Sequence, residues 1–133
     1  MVVITDGGDT VSQVDYKEAL RAAQESEAII YSIIIVPIEA DAGRDTGGEH
    51  ALIQISADTG GKYYYARSAA QLDEAFQRIS EELRTQYLLA DYPSERYSDS
   101  EFRQLRVDLK NPPAGGPCQS HYRAGYYTRK GTF

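Results

Sequence analysis

Cysteine occurs once in this chain of 133 residues, tryptophan not at all and histidine twice. A single thiol, Cys118, excludes a disulfide framework within the chain and leaves the redox compartment open. No apolar run reaches the roughly 18 residues of a membrane-spanning helix, so no span is expected. The first residues, Met1-Val2-Val3-Ile4-Thr5, carry no basic segment, and no signal peptide is expected on this chain.

Positive charge is also scarce. Fourteen Lys and Arg stand against 20 Asp and Glu, a net charge of −6. A diffuse acidic surface lacks the clustered cations that a phosphate backbone requires, so nucleic acid is not an expected partner. The same surface is compatible with cation binding, although mild acidity usually serves solubility.

Several chemical motifs are missing. No Gly-x-Gly-x-x-Gly or Gly-x-Ser-x-Gly occurs, and the stretch Gly43 to Gly48 lacks the Lys-Ser/Thr of a phosphate loop. These absences argue against nucleotide binding and serine hydrolysis. Cys118 and His121 lie three apart on an extended segment, which points them to opposite faces, so a Cys–His nucleophile is not expected.

What the chain does have is ordinary globular composition, 41% hydrophobic and 26% charged, at a length that fits one domain or a small domain with an appendage. Tyrosine is abundant, at 11, and nine of them cluster at 63–65, 87–97 and 122–127, as strand residues packing across a sheet do.

Val2-Val3-Ile4-Thr5 reads as a buried strand leaving into the tight loop Asp6-Gly7-Gly8-Asp9. Ser12 to Asp15 has the shape of a capping box, and Tyr16, Ala19, Leu20 and Ala23 recur at helical spacing, which predicts a helix over 13–25. Ala28 to Val36 is almost continuously apolar, the mark of a strand covered on both faces of a parallel sheet. Residues 37–48 read as a loop. A short helix over 49–58 presents Ala51, Leu52 and Ile55 and stops at Thr59-Gly60-Gly61. Lys62 to Ala66 is a strand. Ser68 to Gln71 is a capping box, and Leu72, Ala75, Phe76, Ile79 and Leu83 form an apolar stripe on a helix over 69–85.

The order β-α-β-α-β-α implies a truncated Rossmann-like α/β fold with a parallel sheet and right-handed crossovers. After residue 85 the pattern changes. Gln86 to Tyr92, Phe102 to Lys110 and His121 to Thr128 are strand-like, with no helix between them. Leu105, Val107 and Leu109 alternate with Gln104, Arg106 and Asp108, as in a half-exposed antiparallel strand. The expected division is an α/β part over 1–85 and a three-stranded antiparallel β element over 86–133.

An apolar strand ending in Thr5-Asp6-Gly7, then a helix, then Ile29-Ile30-Tyr31-Ser32-Ile33-Ile34-Ile35-Val36, resembles the fourth strand of a von Willebrand factor A-like domain with its succeeding helix and strand. Ala57-Asp58-Thr59-Gly60-Gly61-Lys62-Tyr63-Tyr64-Tyr65, with Ser68 and the Leu72/Phe76/Ile79 helix, is similar to that fold's last strand and helix. The tail, with Tyr87 to Pro93, Phe102 to Leu109 and Arg123 to Tyr127, resembles the extension of the subgroup known as von Willebrand factor A-related in Acidobacteria.

The resemblance implies a metal-ion-dependent adhesion site for Mg²⁺ or Mn²⁺, completed by an acidic side chain of a protein ligand. The family's pattern takes ligands from three loops, and Asp6 matches the Asp of the third. No Asp-x-Ser-x-Ser of the first loop occurs in the chain, and the Thr-bearing second loop would precede residue 1. The implied site is incomplete, with Asp6, Asp9 and Thr10 as candidate ligands, and with His50 and His121 as further ligands if Zn²⁺ is taken instead. A hard divalent cation wants about six oxygens, more than Asp6 alone supplies. The competing reading has Asp6 capping the following turn through backbone N–H groups. The resembled family is one of secreted or cell-envelope proteins; the compartment of this chain is not fixed by its sequence.

In that fold the strand matching Val2, Val3, Ile4 and Thr5 lies mid-sheet. Here its neighbour is absent, which predicts an apolar edge open to another chain, and hence a homodimer or higher oligomer. The expected function is an adhesion-type protein-interaction module. The alternative is a minimal divalent-metal hydrolase acting on activated phosphoesters at the loop end of the sheet, through metal-bound hydroxide.

Overall fold

The computed structural model describes residues 1–9, 12–36, 46–90, 100–110 and 120–128. Strand β1 (Val2–Thr5) is followed by α1 (Tyr16–Glu25), β2 (Tyr31–Ile35), α2 (Thr46–Thr59), β3 (Tyr63–Ala66) and α3 (Ala69–Arg84). These strands form a parallel sheet in the order β1-β2-β3, in the register Val2 with Tyr31 and Ser32 with Tyr63. The mixed α/β architecture expected from the sequence is therefore present, with helices between parallel strands.

Strand β2 is the centre of the molecule. Its residues Tyr31, Ser32, Ile33 and Ile34 are buried, as befits a strand with neighbours on both edges and helices on both faces. Tyr31 and Ile33 join Ala66, Ala75 and Ile79 in the core, with Leu72, Tyr64 and Ile35 packed against it. This is the face that α3 covers. On the other face Ser56 of α2 donates a 2.8 Å hydrogen bond to the Ser32 hydroxyl.

Each helix begins and ends for a local reason. The α1 N-cap is Asp15, whose carboxylate accepts from Glu18 N at 2.8 Å. The capping box expected at Ser12 to Asp15 is thus corrected. Ser12 N donates to Asp9 Oδ1 instead, and the helix starts at Tyr16 rather than 13. The α2 helix begins at Thr46, earlier than expected, and ends in a Schellman motif. Gly60 N donates to Ala57 O and Gly61 N to Ser56 O, with Gly60 at φ 85°. Ser68 caps α3 as the sequence indicates, accepting from Gln71 N at 3.3 Å. Two residues of its expected stripe, Phe76 and Leu83, stay exposed because the helix turns only Ala75 and Ile79 fully into the sheet.

The tail differs from its expected form. Strands β4 (Phe102–Gln104) and β5 (Gly125–Tyr127) pair antiparallel, Phe102 opposite Tyr127, as a separate two-stranded sheet. The third strand expected at Gln86 to Tyr92 is not formed over residues 86–90, and 91–92 lie outside the described residues. The expected strand from Phe102 to Lys110 pairs only to Gln104, with one further bond from Leu105 N to Ala124 O. Leu105 and Val107 keep the half-buried alternation beyond the paired residues. The small sheet is tied to the α/β part by Ala124 N donating to Asp58 O and by the Arg21 guanidinium over the Tyr127 ring.

Candidate functional site

The carboxyl ends of the parallel strands gather three pieces of chain. Asp6 to Asp9 leave β1, the first turn of α2 lies against them, and Tyr65 comes from the end of β3. Gly7 is buried at φ 87°, a left-handed conformation that favours glycine. Gly48 of α2 approaches the Gly7 carbonyl so closely that a Cβ there would lie 1.8 Å from its oxygen. The Asp6 loop and the start of α2 therefore fit backbone against backbone.

The acidic side chains at this end divide by environment. Asp6 is exposed, and its Oδ1 accepts from Gly8 N at 3.1 Å, so the carboxylate closes its own turn. Asp9 is also exposed and accepts from Ser12 N at 2.9 Å. Thr10 lies outside the described residues. Glu49 is different: it is 6% exposed, seated against Gly7, and accepts a 3.2 Å hydrogen bond from the Tyr65 hydroxyl. Glu49 is not among the residues expected from sequence. Its signal was the pair Gly47-Gly48 immediately before it, small residues that let a helix start press on a neighbouring loop.

The histidines do not converge. His50 is exposed in the first turns of α2, near the Asp6 loop. His121 is next to Tyr122, which lies against Gly60 at the opposite end of α2. The rise of the helix between residues 50 and 60 is about 15 Å, beyond the reach of two ligands on one ion. Among the described residues no group of three or more His, Cys, Asp and Glu side chains is arranged to hold a metal ion. Cys118 lies outside the described residues.

The expected edge residues lie at an edge of the sheet. β1 is an outer strand. Tyr31 N donates to Met1 O at 2.9 Å, which fixes the parity of the ladder. Met1, Val3 and Thr5 turn their main-chain groups to β2, and Val2 and Ile4 turn theirs outward. The side chains of Val2 and Ile4 lie on the face that α3 covers over β2 and β3 but leaves open over β1. They are 38% and 48% exposed.

A shallow depression of about 290 Å³ runs beside the other outer strand, lined by Tyr63, Tyr64, Tyr65, Gln71, Glu74 and Arg78. On the same side of the sheet as α3, burial and the nearby Glu82 carboxylate raise the Tyr31 and Tyr64 hydroxyls above their ordinary pKa.

No family model matches the chain, and no curated protein matches it. Among solved structures it is similar to an uncharacterized membrane spanning protein from Vibrio fischeri, at 29% identity and a TM-score of 0.48. The similarity covers 60% of this chain and 45% of that one, so the chain spans less than half of that protein's length. Among the described residues no helix is long and apolar enough to cross a membrane.

Proposed function

We propose that this chain is a protein-interaction module of the adhesion type, resembling the second half of a von Willebrand factor A-like domain, and that it associates through the outer edge of β1. The observation that carries the reading is the state of that edge. Val2 and Ile4 combine outward main-chain donors and acceptors with half-exposed apolar side chains, on a strand whose other edge is fully laddered. An edge of this kind is a template for a further strand. The strand's own side chains supply no protection: Val2, Val3, Ile4 and Thr5 include no Lys, Pro or inward charge.

Light scattering across micromolar concentrations tests the reading. The wild-type chain is expected as a dimer or larger, and Ile4→Lys as a monomer with an unchanged circular dichroism spectrum. A wild-type monomer throughout that range would overturn it.

A second reading, a divalent-metal phosphoester hydrolase, draws support from one observation, the buried Glu49 carboxylate against the Asp6 loop. It predicts hydrolysis of an activated phosphoester that stops on chelation and is lost in Asp6→Ala. Turnover that survives the chelator would remove it.

A further inference from the structure

The segment that leaves α3 is the most exposed apolar stretch of the described chain. Tyr87, Leu88 and Leu89 are 91%, 98% and 80% exposed. A tyrosine and two leucines in sequence favour a strand or a buried position, and here they have neither. Their place in the fold is specific. Gln86 Nε2 donates to the Tyr31 hydroxyl at 3.5 Å. The register partner of Tyr31 is Val2. The exposed segment therefore departs from the amino end of the sheet, on the α3 side, one strand away from the uncovered side chains of β1.

We infer that the Tyr87–Ala90 segment of one copy adds as a strand to the β1 edge of a second copy, and that the exchange is reciprocal. The inference rests on the β1-edge reading above and names the partner of that edge. Alternation fits the pairing. Tyr87 and Leu89 would share the face of Val2 and Ile4, and Leu88 the face of Val3 and Thr5. The outward N–H and C=O groups of Val2 and Ile4 would gain ladder partners. A two-fold arrangement lets the same two patches serve in both copies.

The three side chains offer on the order of 400 Å² per copy. Covered reciprocally, they remove about 800 Å² from water, to which the exposed parts of Val2 and Ile4 on the receiving strands add. No competing charge stands in the segment: Gln86, Tyr87, Leu88, Leu89 and Ala90 are all uncharged.

The test compares two variants of the full chain by light scattering. Leu88 touches almost nothing in the single chain, so Leu88→Asp is expected to leave its fold intact while abolishing the dimer. Ile4→Lys is expected to do the same from the receiving side. Loss of the dimer in Ile4→Lys but not in Leu88→Asp would overturn this pairing and leave the β1 edge as an interface for something else. A dimer that survives both variants, or a wild-type monomer, would overturn both readings.

A cross-linking arm settles which copy supplies the segment. With Cys118→Ser in both, one chain carries Ile4→Cys and the other Leu89→Cys, the pair that the proposed pairing puts on one face. Mixing under oxidation is expected to give a disulfide-linked heterodimer. If mixing gives none, while a single chain bearing both cysteines closes internally, the segment docks on its own sheet and the exchange is overturned.

Discussion

The Tyr65 hydroxyl donates a 3.2 Å hydrogen bond to Oε2 of Glu49, joining the end of β3 to the first turn of α2. A buried carboxylate that loses a donor is costly, because water does not replace it. Tyr65→Phe is expected to lower stability by about 1–3 kcal/mol. The check is a urea titration, in which the midpoint falls at unchanged slope. An unchanged midpoint would mean that the other contacts of Glu49 suffice.

The same end of the sheet depends on the fit between Gly48 and Gly7. A Cβ at Gly48 would stand 1.8 Å from the Gly7 oxygen, whereas one at Gly8 meets Asp6 Oδ1 at an ordinary 3.5 Å. Gly48→Ala is expected to cost about 2 kcal/mol or more, and Gly8→Ala less than about 1 kcal/mol. Thermal unfolding of the pair checks this order; equal costs would contradict the close approach.

How much of this was legible in the sequence differs by element. The apolar run around β2 announced a strand buried on both faces, because only such a strand needs no polar residues. Ser68 and Gln71 announced the start of α3, because the cap is a local interaction. Asp15 was harder: Ser12 offered a competing cap, and the Asp9 carboxylate decided the matter by taking the Ser12 N–H. Glu49 was legible only indirectly: Gly47-Gly48 allows a close approach, but the burial comes from a loop more than 40 positions earlier pressing on it. The strand expected over 86–92 failed over 86–90 for a similar reason. Strand propensity is local, but a strand forms only when an edge is supplied.

Ser56 and Ser32 share a buried 2.8 Å bond between α2 and the central strand, and Ser32 in turn donates to Leu52 O at 3.4 Å. Ser32→Ala strands the Ser56 hydroxyl and is expected to cost about 1–3 kcal/mol. The double variant with Ser56→Ala is expected to cost less than the two single variants together, with a coupling of roughly 0.5–1.5 kcal/mol. A double-mutant cycle by denaturant titration measures it, and simple additivity would contradict the bond.

Alkaline pH should weaken the α3 side of the core. Tyr31 and Tyr64 have hydroxyls raised above the ordinary value of 10.0, first by burial and then by the Glu82 charge. In the unfolded chain the same groups ionise at the ordinary value. Their contribution is therefore fully present below that pH and lost as pH rises past it toward the folded-state values. The unfolding midpoint is expected to fall across that range, and less steeply in Tyr31→Phe/Tyr64→Phe. An equal slope in the double variant would contradict the assignment.

The central claim is that the outer edge of β1 receives another strand. Amide hydrogen exchange at Val2 and Ile4, followed against protein concentration, tests it most directly. The two outward amides are expected to exchange fast in dilute protein and to slow as the mass doubles, while Val3 and Thr5, laddered to β2, change little. Doubling of the mass with Val2 and Ile4 still exchanging at their dilute rate would contradict it.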